Sequence, residues 1–173
     1  MGLGHAAERE VAMNNHALIA YYSMGGHTRT VAHELRDAMG ADIEEIKEPH
    51  PRQGVVGVLR ALVDAIARRE PPIEPAEGDP RNYDVLLVGG PIWAGRMAAP
   101  VRSYVRRYAV AAPHVAFFCT EGGRGADTAF TDLESLCGRK PEATLVVDSA
   151  HLLPAEHRQD LKAFASRMSL TAH

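Results

Sequence analysis

Three stretches of the chain combine glycine with hydroxyl, imidazole or indole groups. They are Ser23-Met24-Gly25-Gly26-His27-Thr28, Gly89-Gly90-Pro91-Ile92-Trp93-Ala94-Gly95 and Thr120-Glu121-Gly122-Gly123-Arg124-Gly125. The first ends an apolar run and opens a helical pattern. A helix start leaves several N–H groups without partners and sets the positive end of the macrodipole beside them, so an anion there gains charge-assisted bonds without any lysine. Gly25 and Gly26 let the backbone come close, and Ser23 and Thr28 add hydroxyl donors. A phosphate monoester fits this chemistry. The same residues also suit a tight strand-to-helix turn in which Ser or Thr caps the helix.

Other chemistries fit less well. A nucleotide-triphosphate loop needs Lys after its glycines, and none follows here. Ser23, Asp148 and His151 stand in the chain order of a serine esterase, but Tyr21 occupies the position where the nucleophile turn wants glycine. With so short a stretch before Ser23, no earlier strand-loop is expected to complete an oxyanion hole. The nine histidines are scattered, His151 and His157 lie six apart, and no metal site is expected.

The elements that must position these loops read from hydrophobic patterning. Ala17 to Tyr22, Val85 to Val88, Val115 to Cys119 and Ala143 to Val147 are continuous apolar runs, as in strands covered on both faces by helices. Asp42 to Ile46 carries carboxylates between two apolar residues and suits a sheet edge. Helical stripes lie between: Val31, Leu35, Ala38 and Met39, stopped by Gly40; Val55, Val58, Leu59, Leu62, Val63 and Ile66, stopped before Pro71-Pro72; and Val101, Tyr104, Val105 and Tyr108 beside Pro100. A fourth carries Phe130, Leu133, Leu136 and Cys137 up to Gly138, and a fifth starts near Pro154 with Leu161, Phe164, Ala165 and Met168. Strand and helix alternate five times, the pattern of a three-layer, doubly wound α/β domain over residues 16–170 behind a flexible tail, Met1–Asn15. In such sheets ligands bind beyond the carboxyl ends of the strands, where all three glycine-bearing loops fall.

Composition narrows the partners. The 173 residues are 46% hydrophobic and 24% charged, as in one soluble domain. With 19 Lys+Arg against 22 Asp+Glu, net −3, the chain lacks the basic stripe that nucleic acid requires. No run approaches the ~18 apolar residues of a membrane helix. Two cysteines without a C-x-x-C pair fit a cytoplasmic setting.

Taken together, the stretches Ala17 to Ala32, Tyr83 to Gly95 and Phe117 to Gly123 resemble the flavodoxin family. The resemblance implies a five-stranded parallel sheet in order 2-1-3-4-5 with helices on both faces, FMN as cofactor, and electron transfer. In that family the first loop holds the ribityl phosphate with Thr/Ser-x-Thr-Gly-x-Thr. Ser23, Gly26 and Thr28 keep the pattern, whereas Gly25 replaces a hydroxyl residue and His27 stands where Asn is common. One lost hydrogen bond to a charged group weakens binding by ~1.5–3 kcal/mol, about one or two decades. A cationic His27 would compensate, holding the phosphate better as pH falls. Pro91, Ile92, Trp93, Ala94 and Gly95 would flank the isoalloxazine ring, with the indole stacked on it. Thr120, Glu121, Gly122 and Gly123 would bond its pyrimidine edge, with no aromatic there to close the second face.

Family carriers are strongly acidic around the flavin, which keeps its potential low. The modest net charge, with Arg96 and Arg124 in the flavin loops, leans instead toward an oxidoreductase taking electrons from NAD(P)H or a redox protein to a small acceptor. Gly25 also admits a module that has lost FMN and uses Arg102, Arg106 and Arg107 for protein contacts, unless these are the solvent face of their helix.

Overall fold

The computed structural model describes residues 16–149 and 154–171, so the expected tail Met1–Asn15 and His151 lie outside the described residues. Eleven principal elements follow in chain order: β1 (Ala17–Tyr21), α1 (His27–Met39), β2 (Asp42–Glu45), α2 (Gly54–Ile66), β3 (Val85–Trp93), β4 (Arg96–Met97), α3 (Ala99–Tyr108), β5 (His114–Glu121), α4 (Ala126–Cys137), β6 (Thr144–Asp148) and α5 (Pro154–Thr171). Five strands pair in parallel in the order β2-β1-β3-β5-β6. This is the expected order once β4 is set aside. That sixth strand pairs antiparallel with the end of β3, Ile92 against Met97 and Trp93 against Arg96.

Period-two alternation divides the strand side chains between two cores. Leu18, Ala20, Leu86, Val88, Phe117 and Cys119 meet Val101, Tyr104 and Val105 of α3 and Phe130 and Leu133 of α4. On the other face Ala17, Ile19, Leu87, Phe118 and Val147 meet Val31 and Leu35 of α1 and Leu161, Phe164 and Met168 of α5. The continuous apolar runs therefore arise because both faces are covered. Gly40 and Gly138 end α1 and α4 in the left-handed region, at φ 65 and 72. Among the described residues no helix is long and apolar enough to cross a membrane.

Two expectations are corrected. The apolar stripe of α2 faces outward: Val55, Val58, Leu59, Val63 and Ile66 are exposed, while Gly57, Ala61, Asp64 and Ala65 are buried. Small side chains decide this, because a Cβ at Gly57 would stand 2.7 Å from the Arg52 carbonyl carbon and only a thin helix face fits there. Arg102 is likewise not on a solvent face. It is buried, 3.7 Å from Asp132 and 4.0 Å from Glu70, with its Nε unpartnered. Burial pulls its guanidinium below the ordinary arginine range, against the opposing pull of Asp132 and then Glu70.

The strand β2 lies at the sheet edge, as its pattern suggested, yet carries a buried carboxylate. Glu44 accepts from the Tyr104 hydroxyl at 2.5 Å and from the Glu77 and Gly78 amides at 2.8 and 2.7 Å. Burial first, and Glu44 second, raise the Tyr104 phenol well above its ordinary range. Ser103 adds a bond to the Pro71 carbonyl, and the Ala76 amide donates to Tyr108. The connection between α2 and β3 is thus held against α3. Glu44→Ala strips charged acceptors from three donors and should lower stability by about 3 kcal/mol in urea unfolding, against about 1 for Tyr104→Phe.

Candidate functional site

The carboxyl ends of β1, β3 and β5 converge on one open cleft of about 250 Å³. The parallel register places Tyr21 opposite Gly89 and Gly89 opposite Phe118, so the three following segments emerge side by side. Ser23, Met24, Gly25, His27, Thr28, Pro91, Ile92, Trp93, Thr120, Glu121 and Gly122 line the cleft. Gly26, Ala94, Gly95 and Gly123 do not, although they belong to the same segments.

In the first segment the Gly26 amide donates to Ser23 Oγ at 3.1 Å, closing the turn and leaving the Ser23 proton free to donate elsewhere. Gly26 takes φ 92 as the N-cap of α1, a conformation natural to glycine. No side chain caps this helix and its first turn holds no acid, so no side chain of its own offsets the positive end. Nothing lies within 4 Å of the Cβ position at Gly25 or Gly26, so the backbone is open to a ligand. Thr28, expected only as a donor to an anion, is buried and shares a 2.8 Å hydrogen bond with Thr120. One proton joins the two oxygens, and the second remains to be donated.

The middle segment is more ordered than a loop. β3 continues through Trp93, and only Ala94 and Gly95 turn, both at positive φ (49 and 73), the two-residue hairpin whose twist suits the strands. Gly89 and Gly90 serve packing. Cβ atoms there would lie 2.5 Å from the Phe118 ring and from Val101. Trp93 is half-buried, not exposed at a loop tip, and meets the Tyr22 ring edge-on at 5.9 Å. Behind Tyr22 stands a buried ionic chain. Its hydroxyl donates to Glu48 at 3.0 Å, Glu48 takes two 2.8 Å bonds from Arg52, and Arg52 Nη1 lies 2.9 Å from Asp64, at an angle outside the hydrogen-bond range. Burial, then Glu48, raises the Tyr22 phenol above its ordinary range, so it stays a neutral donor.

In the third segment Glu121 turns its carboxylate to the Ala126 amide at the start of α4, 3.1 Å away. Its carbonyl accepts from the amide and hydroxyl of Ser149, at 2.8 and 3.0 Å. Ser149 lines the cleft and was missed by the sequence reading. Its one signal was its place just past the last strand of the sheet. Arg96 lies 2.9 Å from Asp132, which offsets its charge, and Arg124 is exposed off the cleft. The positive field expected of this pair is therefore weakened. Cys119 is fully buried, and burial pushes its thiol up to about 12, so it stays protonated.

Gly125 closes the arrangement. A Cβ there would sit 2.5 Å from the Gly95 Cα, and its φ of 124 excludes other residues. Gly125→Ala should cost about 2–4 kcal/mol in thermal or urea unfolding, whereas Gly123→Ala, with nothing within 4 Å, should change stability by less than about 0.5.

A family model described as flavodoxin matches residues 16–168, and the chain belongs to that family. No curated protein matches it. Among solved structures it is similar to a flavoprotein from Lactobacillus acidophilus NCFM crystallised in complex with FMN, at 22% identity and TM-score 0.67 over 76% of this chain and 93% of that one. A provisionally named flavoprotein from Bacteroides eggerthii DSM 20697 gives 21% and 0.72 over 90% and 99%. A flavodoxin from Streptococcus pneumoniae TIGR4 gives 14% and 0.58 over 89% and 97%.

Proposed function

We propose that the chain binds FMN in this cleft and transfers electrons to a small acceptor. The observation that carries the reading is the meeting of three segments, each with its own donors, at the positive start of a helix that no side chain caps. The membership of the chain in the flavodoxin family and the FMN bound to the Lactobacillus relative support it.

The residues fit the group. The α1 amides beyond Gly26 and the free Ser23 proton would hold the phosphate, with His27 exposed at the rim. The Thr28–Thr120 pair would offer one hydroxyl to the ribityl chain. Trp93, braced by Tyr22, would give the ring one flat wall, and the Gly122 amide in the cleft lining would serve its polar edge. When bound, FMN supplies one- and two-electron chemistry at its ring. Trp93 is the one large ring among the lining residues, so the other face of the flavin would stay open to an acceptor.

The charge pattern favours a reductase over a low-potential carrier. Of the twelve lining residues Glu121 alone is a carboxylate, and it is tied to an amide. A field that weak leaves the flavin readily reduced by NAD(P)H or a redox protein.

The purified protein should be yellow and release FMN on denaturation. A colourless chain that leaves micromolar FMN fluorescence unchanged would instead identify a module without cofactor. Gly25 has open space and an ordinary φ, so Gly25→Thr should restore one hydroxyl bond and tighten FMN about 10-fold by fluorescence titration. Trp93→Ala should weaken it by a similar factor. NAD(P)H oxidation with quinones or nitro compounds checks the reductase assignment.

A further inference from the structure

Helix α2 turns an unbroken aliphatic surface to solvent. Val55 and Val56 are 77% and 79% exposed, Leu59 57% and Ile66 62%, with Val58 and Val63 alongside. Together they present on the order of 600 Å² of apolar surface. That is the top of the range for a monomer's largest patch and close to the roughly 800 Å² one partner buries in a standard interface.

The pattern within the patch is that of a helix seam. Val55, Leu59, Leu62 and Ile66 follow one another at intervals of four, three and four, the spacing that aligns knobs with holes on a facing helix. Val56 and Val63 flank the seam on one side and Val58 on the other. No charge interrupts it. Arg60 lies at its edge, 3.8 Å from Asp64.

We infer that α2 is the contact surface of a homodimer, packed antiparallel on α2 of a second copy across a two-fold axis between Leu59 and Leu62. A two-fold pairing is self-complementary, so one seam serves both protomers. The antiparallel sense follows from charge. Arg68 and Arg69 stand just past the carboxyl end with side chains more than half exposed despite their ion pairs, whereas at the other end Arg52 is buried on Glu48. Antiparallel packing keeps the two arginine pairs about 24 Å apart along the axis at 1.5 Å per residue and opposes the helix dipoles. A lipid surface suits the strip less. It holds no aromatic residue, and its nearest cations face carboxylates, Arg60 and Arg69 toward Asp64 and Arg68 toward Asp132. The inference is independent of the flavin, since the strip lies outside the cleft.

The test is sedimentation of the full chain across the micromolar range, with and without FMN. A species of twice the 18.8 kDa chain mass is expected in both. Leu59→Glu, at an exposed position, should weaken the dimer about 100-fold with unchanged far-UV dichroism. Chains bearing Val55→Cys and chains bearing Ile66→Cys should cross-link to one another when mixed and oxidised, while Val55→Cys alone should not link to itself. Native Cys119 and Cys137 are buried and stay silent. A monomer at every concentration, a dimer indifferent to Leu59→Glu, or self-linking of Val55→Cys would each overturn the inference. So would a monomer that floats with phosphatidylglycerol vesicles, which would assign the strip to lipid.

Discussion

Backbones at the carboxyl edge of the sheet run so close together that a β-carbon has no room at Gly89, Gly90 or Gly125, and the cleft exists because of that closeness. Phe118 covers Gly89 from one face and Val101 of α3 covers Gly90 from the other, so β1, β3 and β5 can end side by side. Gly125 then touches Gly95 and locks the hairpin tip to the start of α4. The Thr28–Thr120 bond joins the two outer segments across the middle. Each contact is short, and each would open if one side chain were added.

Charge does its structural work on the α2 and α3 side of the sheet. The chain Tyr22–Glu48–Arg52–Asp64 is almost wholly buried, and its favourable contacts roughly offset the loss of hydration that burying four polar groups entails. What it contributes is position. It sets Tyr22 beneath Trp93 and fixes where α2 begins. Asp132 does the same for the hairpin. It gathers Arg68, Arg96 and Arg102 within 4 Å, so Arg96, which a linear reading assigned to the flavin, and Arg102, which it assigned to a partner, are spent inside the protein.

Much of the architecture was legible because burial on both sides of a parallel sheet leaves continuous apolar runs, and because Gly40 and Gly138 mark helix ends that only a left-handed residue makes cheaply. The three cleft segments were legible because their glycines and hydroxyls stand at strand ends. Strand ends themselves were not. β3 runs on through Pro91, Ile92 and Trp93, since β4 offers it a partner that two residues, Arg96 and Met97, could not announce. Ser149 was hidden for a similar reason, as its place just past the last strand gains meaning only when β6 pairs with β5.

The amino-acid sequence alone determined the alternation of strand and helix, the edge to which the glycine-bearing segments belong, and the family. The first two follow from local periodicity and from conformations that single residues favour, and the family from the likeness of the three glycine-bearing stretches. Tertiary structure decided which face of α2 is inside, because the close approach of Arg52 to Gly57 and the pairing of buried Arg52 with Asp64 select the small face over the aliphatic one. It also decided that Glu44 is buried and that Arg96 and Arg102 are paired. A charge's environment is made by residues distant in the chain, and no local pattern records it.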